Sequence, residues 1–403
     1  MRGEGLPAPL RVLFHGQFGL FVGGNTLTLT GTWMQRIASG WLVWHWTGSV
    51  FWLGMLAVGD LLPVVVIGPL AGVAADRWDR LKQNKIAQVL SAFLALALAV
   101  LLLFDRLNIT SLLILATLQG TLVAAVQPAR LAMIQEMVPR EDMSAAVAIN
   151  SVNVNLARLL GPAVAGLMIV YLDIIWVFVL NALFTLLFVV ILGQLKLVPR
   201  VIHPTQSNFL TLMREGFTYA LRTPAMRVVL CALLVGGIAV RSMLELLPAV
   251  AAQTFLDTTT GLAVLTGAAA VGAIVSGLTA RSGQSLNSIL LWWALGAIAA
   301  CALTSAPYAF LAVAAATILG ASITRGMVGT QTIVQLATPD ALRGRVLSIH
   351  GLIARGSPAL GALPIGYAAD IIGLPSTVMV ASSLLLVITA ALLIGGRSVQ
   401  LHL

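Results

Sequence analysis

The sequence predicts an all-α membrane protein in which twelve transmembrane helices form two six-helix bundles. Three observations predict it. Of the 403 residues, 59% are apolar and only 9% are charged, against roughly 25% charged in an ordinary soluble domain. Apolar runs recur at the length of about 20 residues that a helix needs to cross hydrocarbon, too long for the strands of a barrel, which is the only other spanning architecture. Lys and Arg gather in alternate loops.

The runs fall at 11–46, 49–75, 84–104, 109–137, 144–171, 174–195, 225–253, 258–280, 285–304, 306–337, 341–369 and 374–395. With the amino terminus in the cytoplasm, the inner loops and ends hold Arg2, Arg11, Arg77, Arg80, Lys82, Lys85, Arg140, Lys196, Arg200, Arg214, Arg222, Arg227, Arg281, Arg343, Arg345 and Arg397, and the outer loops hold only Arg106. That asymmetry sets both termini inside. The net charge of +9 therefore records topology, and no nucleic-acid partner is expected. The start, MRGEGLPAPLRVLF, lacks the short apolar stretch and small-residue site of a removable signal, so the first helix serves as its own insertion signal. Cys231 and Cys301 fall inside spans without a metal-ligating partner at suitable spacing and read as small apolar residues.

The least apolar internal stretch, 196–222, divides the chain into 1–195, a linker, and 223–403. Within the linker, Phe209 to Leu221 carries apolar residues at helical spacing opposite Arg214 and Glu215, as in a helix lying on the inner membrane surface. At an offset of 200, Ala116, Thr117, Gly120, Gln135 and Pro139 match Ala316, Thr317, Gly320, Gln335 and Pro339. Each set lies on the fourth helix of its half. Parallel six-helix repeats imply alternating access around a central cavity.

The loop after the second span reads Gly72-Val-Ala-Ala-Asp76-Arg77-Trp-Asp79-Arg80-Leu-Lys82. Gly72 permits close helix approach, and Asp76 is placed to cap the next helix or to meet an Arg when an inner gate shuts. A plain positive-inside loop is the alternative. This stretch resembles the cytoplasmic signature of the major facilitator superfamily. The resemblance continues through Gly31-Thr-Trp-Met-Gln-Arg36, Trp41-Leu-Val, Val138-Pro-Arg-Glu-Asp142, Asn155-Leu-Ala-Arg158-Leu-Leu-Gly161-Pro162 and Leu342-Arg-Gly-Arg345-Val. In these details the chain is similar to the branch of the enterobactin exporter and macrolide efflux proteins, the transmembrane secretion effector type. The resemblance implies the major facilitator fold and export of a small molecule, usually driven by inward proton flow, across a bacterial inner membrane. A monomer is expected. The chain departs from the pattern in three places: Arg281 stands where many members keep Asp, Ala116 where many keep Arg, and no acidic residue lies near Thr32.

Ionisable groups in hydrocarbon usually face a cavity or a partner. Asp60 lies sixteen residues before Asp76, about 24 Å deeper at 1.5 Å per residue; it is either a proton carrier or a structural partner of Arg158 or Arg36. Glu245 follows Arg241 by four residues, which puts both on one helix face as a pair. Arg158 and Arg355 hold central positions in the fifth and eleventh spans, where they either attract an anionic substrate or pair structurally. Arg130, Arg325, Arg343 and Arg345 lie toward the inner side as gate candidates. Trp33, Trp41, Trp44, Trp46, Trp292 and Trp293 read as interfacial anchors, and His15 and His350 as structural.

No nucleotide-binding loop, zinc helix or nucleophile elbow occurs, so neither catalysis, a metal nor a cofactor is expected. The partners are a small-molecule substrate, protons and the bilayer. Uptake, lipid movement, or a receptor or assembly protein on the same fold are the competing functions, because fold alone does not fix them.

Overall fold

The structure, a computed structural model, describes residues 12–13, 17–197, 209–279 and 285–395. The first part of the chain forms α1 (Phe18–Thr47), α2 (Val50–Arg77), α3 (Arg80–Leu103), α4 (Ile109–Met137), a 3-10 turn (Arg140–Asp142), α5 (Met143–Tyr171) and α6 (Ile174–Gln194). The remainder forms α7 (Phe209–Arg222), α8 (Pro224–Ala239), a 3-10 turn (Arg241–Leu244), α9 (Leu247–Thr254), α10 (Thr258–Leu278), α11 (Leu286–Thr304), α12 (Ala309–Ala337), α13 (Asp340–Ile372) and α14 (Leu374–Gly395). No strand occurs among the described residues.

Among the described residues, eleven segments are long and apolar enough to cross a membrane, α8 and its 3-10 turn counting as one. The expected first span, α1, is thirty residues long but is not among them. Asn25, Thr26, Thr28, Thr30, Gln35, Arg36 and Ser39 dilute its apolar content. The twelfth span thus rests on helix length rather than composition.

Lipid as solvent is written into α3. Its exposed face is Ile86, Val89, Leu90, Phe93 and Val100, while Asn84, Gln88, Ser91 and the small Ala87, Ala92 and Ala95 are buried. A helix in water would turn the opposite way. Helix ends are capped by short polar side chains: Asp79 for α3, Asn108 with Ser111 for α4, Asp173 for α6, Asp257 for α10 and Ser285 for α11. Each satisfies N–H groups that the first turn leaves open.

The chain separates into two compact units, Met1–Trp41 with Pro63–Thr205, and Leu42–Leu62 with Gln206–Leu403. In the first, α3 packs on α4 and α6, and one end is filled by Phe18, Phe21, Met133, Ile134, Phe188 and Leu192. In the second, α12 packs on α10 and α11, α11 on α14, and α8 on α13. Trp293, only 1% exposed, is clasped between two glycines. A methyl group on Gly236 or Gly326 would sit 2.3 Å from its ring.

The seventh span, expected to run unbroken over 225–253, is interrupted. The α-helix ends at Ala239, a 3-10 turn carries Arg241–Leu244, and the helix restarts at Leu247 with Pro248 in its first turn. Proline supplies no N–H to continue the ladder from the preceding turn. The amphipathic helix expected in the linker is α7, with Phe217 and Leu221 exposed and Gly216 and Ala220 buried. It is fastened to α13 by an ion pair between Glu215 and Arg345, and to the end of α12 by the Tyr219 hydroxyl, which donates to the Ala337 carbonyl at 3.4 Å.

Candidate functional site

In the first unit the buried charge collects on one indole. The Arg36 guanidinium, one turn along α1, lies 5.3 Å from the Trp33 ring centroid, and that of Arg158 on α5 lies 5.2 Å from it. The negative face of an indole attracts cations, by about 0.5–2 kcal/mol each depending on desolvation. Gly161 makes the approach possible, since a methyl there would meet the Trp33 Cβ at 2.4 Å. Trp33 is therefore a cation platform within the bundle rather than the interfacial anchor expected from its sequence neighbours. Neither arginine is without a further partner, and the same holds for Asp60, which belongs to the second unit.

Beside this platform runs a polar ladder that sequence inspection missed. The Gln35 side-chain carbonyl accepts from Asn181 at 2.6 Å, and Asn181 in turn accepts from Thr185 at 3.5 Å. The Thr185 and Thr28 hydroxyl oxygens lie 3.2 Å apart, Thr28 donates to Gln88 at 3.2 Å, and Gln88 donates to Asn84 at 3.5 Å. All six are buried and join α1, α3 and α6. In hydrocarbon an unmade hydrogen bond has no water to replace it, so the ladder fixes the three helices in register. The available signal was the four-residue spacing of Asn84 with Gln88 and of Asn181 with Thr185.

In the gate signature, Gly72, Asp76 and Arg77 lie in the last turns of α2, and their side chains fall outside the described set. Asp79 caps α3 by accepting from the Lys82 N–H at 2.9 Å, and Arg80 pairs with Glu136 of α4 at 2.5 Å. The signature thus ties α3 to α4. Arg130, also on α4, keeps a buried Nε that has no hydrogen-bond partner among the described residues. Arg281 and His15 lie outside the described residues.

In the second unit, Arg241 and Glu245 meet at 3.2 Å, with side chains 13% and 11% exposed. The pair expected from their spacing forms, but across the interruption of the seventh span. Arg325 of α12 donates to Ser276 at 3.1 Å and to Thr279 at 2.8 Å on α10, with Trp292 of α11 5.5 Å away. It pins three helices together. Trp292 and Trp293 are thus interior contacts and not interfacial anchors. His350 is buried and shares a hydrogen bond with Thr330 at 3.0 Å. Arg345 is held by Glu215, and Arg343 is also partnered. Arg355, by contrast, is exposed on α13 and has no hydrogen bond, ion pair or ring contact among the described residues.

The start of α2 and the end of α13 close on each other within this unit. The Asp370 carboxylate accepts the Ser49 hydroxyl and the N–H groups of Val50 at 2.8 Å and Phe51 at 3.3 Å. Asp370 thus caps α2 from another helix, where anionic charge meets the positive end of the dipole. Two glycines bring the backbones together. A methyl on Gly54 would lie 2.6 Å from the Ala362 carbonyl oxygen, and one on Gly366 would lie 2.5 Å from that of Val50. Phe51 and Tyr367 meet edge to face at 6.2 Å.

No group of three or more His, Cys, Asp or Glu suited to a metal occurs among the described residues. The sequence matches the family model described as transmembrane secretion effector over residues 8–398. It is 23% identical to the staphyloferrin A transporter of Staphylococcus aureus, over 95% of this chain and 97% of that one. It is 27% identical to macrolide efflux protein A of Streptococcus pyogenes, over 48% of each. The fold is similar to the crystal structure of a point mutant of nucleoside transporter NupG, with TM-score 0.72, 13% identity, and coverage of 96% and 99%. These relatives are transporters, not enzymes, and the chain belongs to the transmembrane secretion effector family of major facilitator transporters.

Proposed function

We propose that this chain is a proton-driven exporter of a small molecule, working as a monomer in a bacterial inner membrane with both termini in the cytoplasm. Its six-helix halves, 1–195 and 223–403 joined by 196–222, would alternate access. The observation that carries this is the one-sided condition of α13. Its far end is sealed by Asp370, Gly366 and Gly54 against α2, while its near half exposes Gly344, Ser348 and Arg355. A carrier must adopt such a state, open at one end and shut at the other. Basic loops put the sealed end outside. Export is supported by the similarity to macrolide efflux protein A.

In this reading Asp60 carries the proton, because a carboxylate in a span is costly unless it serves a pathway or a partner. The Arg241–Glu245 pair, at a helix interruption, responds to that proton or to substrate. Arg80 with Glu136, together with Gly72, Asp76, Arg77, Asp79 and Lys82, forms the inner gate, to which Arg130, Arg325, Arg343 and Arg345 also contribute. Deleting the gene should raise cellular accumulation of erythromycin or of a ferric siderophore, and a protonophore should abolish efflux. Efflux that persists with the proton gradient collapsed would exclude the coupling.

A further inference from the structure

Helix α13 presents two different exposed faces. At about 100° per residue, Leu360, Pro364, Tyr367 and Ile371 share one arc, and all four are exposed. Leu360, Tyr367 and Ile371 are 55%, 62% and 67% exposed, as expected for a surface toward lipid. Gly344, Ser348 and Arg355 are exposed as well, but they fall on the opposite arc, roughly 130–170° away. Following that second arc toward the carboxy-terminal end of α13, Ala362 and Gly366 are buried beneath the start of α2, at Val50 and Gly54. The polar face is therefore exposed from Gly344 to Arg355 and covered by α2 beyond it.

Arg355 sits where this exposed face meets its cover, within a segment apolar enough to span the membrane. A guanidinium cannot be left in hydrocarbon, so its side of α13 is wet and the lipid side is the other. Of the arginines singled out in the second unit, Arg241, Arg325, Arg343 and Arg345 are each engaged with protein groups. Arg355 is not, among the described residues. No acidic residue occurs on α13 between Asp340 and Asp370 to neutralise it. A permanently charged fork on an exposed polar face, just short of where α2 covers it, suits an anion. Its planar donors match a carboxylate with two parallel hydrogen bonds.

We propose that Arg355 is the substrate-binding residue that selects carboxylate-bearing small molecules. The inference rests on the transporter reading but is tested by binding, so the two fail separately. Tryptophan-fluorescence titration of the purified full-length chain would use citrate and 2,3-dihydroxybenzoate as anionic probes, with neutral 2,3-dihydroxybenzamide and cationic erythromycin as controls. The carboxylates should bind wild type, at least about tenfold more weakly to R355Q, with R355K intermediate. The amide should bind both proteins equally weakly. Unliganded R355Q should keep the wild-type melting temperature, because the side chain it replaces holds nothing together. Equal carboxylate binding to R355Q, binding of the amide or erythromycin alone, or no carboxylate binding at all would overturn the proposal. Loss of carboxylate binding in R355Q while cells show no efflux would uphold the site and sink the transport reading.

Discussion

The two compact units treat the arginines of their spans differently. In the first, Arg36 and Arg158 share the face of Trp33 and Arg80 is joined to Glu136, beside a ladder of six amides and hydroxyls that ties three helices together. In the second, close contacts are made by glycine against tryptophan and by glycine against backbone. There the seventh span is interrupted at an ion pair, and Arg355 is committed to nothing among the described residues. Charge in the first unit serves architecture. In the second, Arg325 also joins helices, but the Arg241–Glu245 pair stands at an interruption and Arg355 on an exposed face of α13, where a ligand can reach it.

Mutations can break this contrast. The largest effect should come from Glu245→Gln, which leaves Arg241 nearly buried without its counter-charge, at about 3 kcal/mol of stability. The double variant R241L/E245L should recover most of that loss, and a loss below about 1 kcal/mol in E245Q would mean that the pair is solvated. Trp33→Leu should cost about 2 kcal/mol, and Arg158→Gln about 1 kcal/mol, by removing the platform or one of its cations. R355Q measured in the same detergent should change stability by less than about 0.5 kcal/mol. Equal losses in R158Q and R355Q would erase the distinction between the units.

Smaller effects sharpen the picture at the edges. Asp257 caps α10 by accepting from Thr259 at 3.1 Å and Thr260 at 3.0 Å. The Thr260 hydroxyl and then its N–H hold the carboxyl below its ordinary range. Asp257→Ala should cost about 1 kcal/mol at neutral pH. Because the folded-state value is depressed, this contribution is present above the unfolded carboxyl value of about 4 and is lost as pH falls through the folded value. Melting curves of D257A and wild type should therefore stay apart down to about pH 5 and converge in acid. Last, Asn181→Ala should cost only about 0.6 kcal/mol per ladder bond, since amides in a membrane find other partners on unfolding.

Much of this was legible in the sequence because lipid imposes length and composition on every span. The spanning helices from α2 onward fall where apolar runs lie, and Arg241 with Glu245 was read as a pair from spacing alone. The interruption of their helix was not, since Gly236, Gly237 and Pro248 are each tolerated in membrane helices and periodicity does not register a missing hydrogen bond. Trp33 and Trp293 were misassigned for a related reason. Proximity to a helix end in the sequence is visible, whereas a glycine on a neighbouring helix that admits an indole is not. Asp370 went unnoticed because it lies one residue beyond the eleventh apolar run, as an ordinary loop acid would. Only the arrival of α2 at that point makes it a cap.

The most direct test is sided chemical access to α13. In a background with Cys231 and Cys301 replaced by Ser, single cysteines would be placed at Ser348 and Ala362 and exposed to a membrane-impermeant maleimide in inside-out and right-side-out vesicles. We expect Ser348→Cys to react from the cytoplasmic side only and Ala362→Cys from neither, until Asp370→Ala releases α2 and admits the reagent from outside. Reaction of Ser348→Cys from both sides, or only with a lipid-soluble maleimide, would contradict a wet face of α13 covered at its outer end, and with it the alternating-access account.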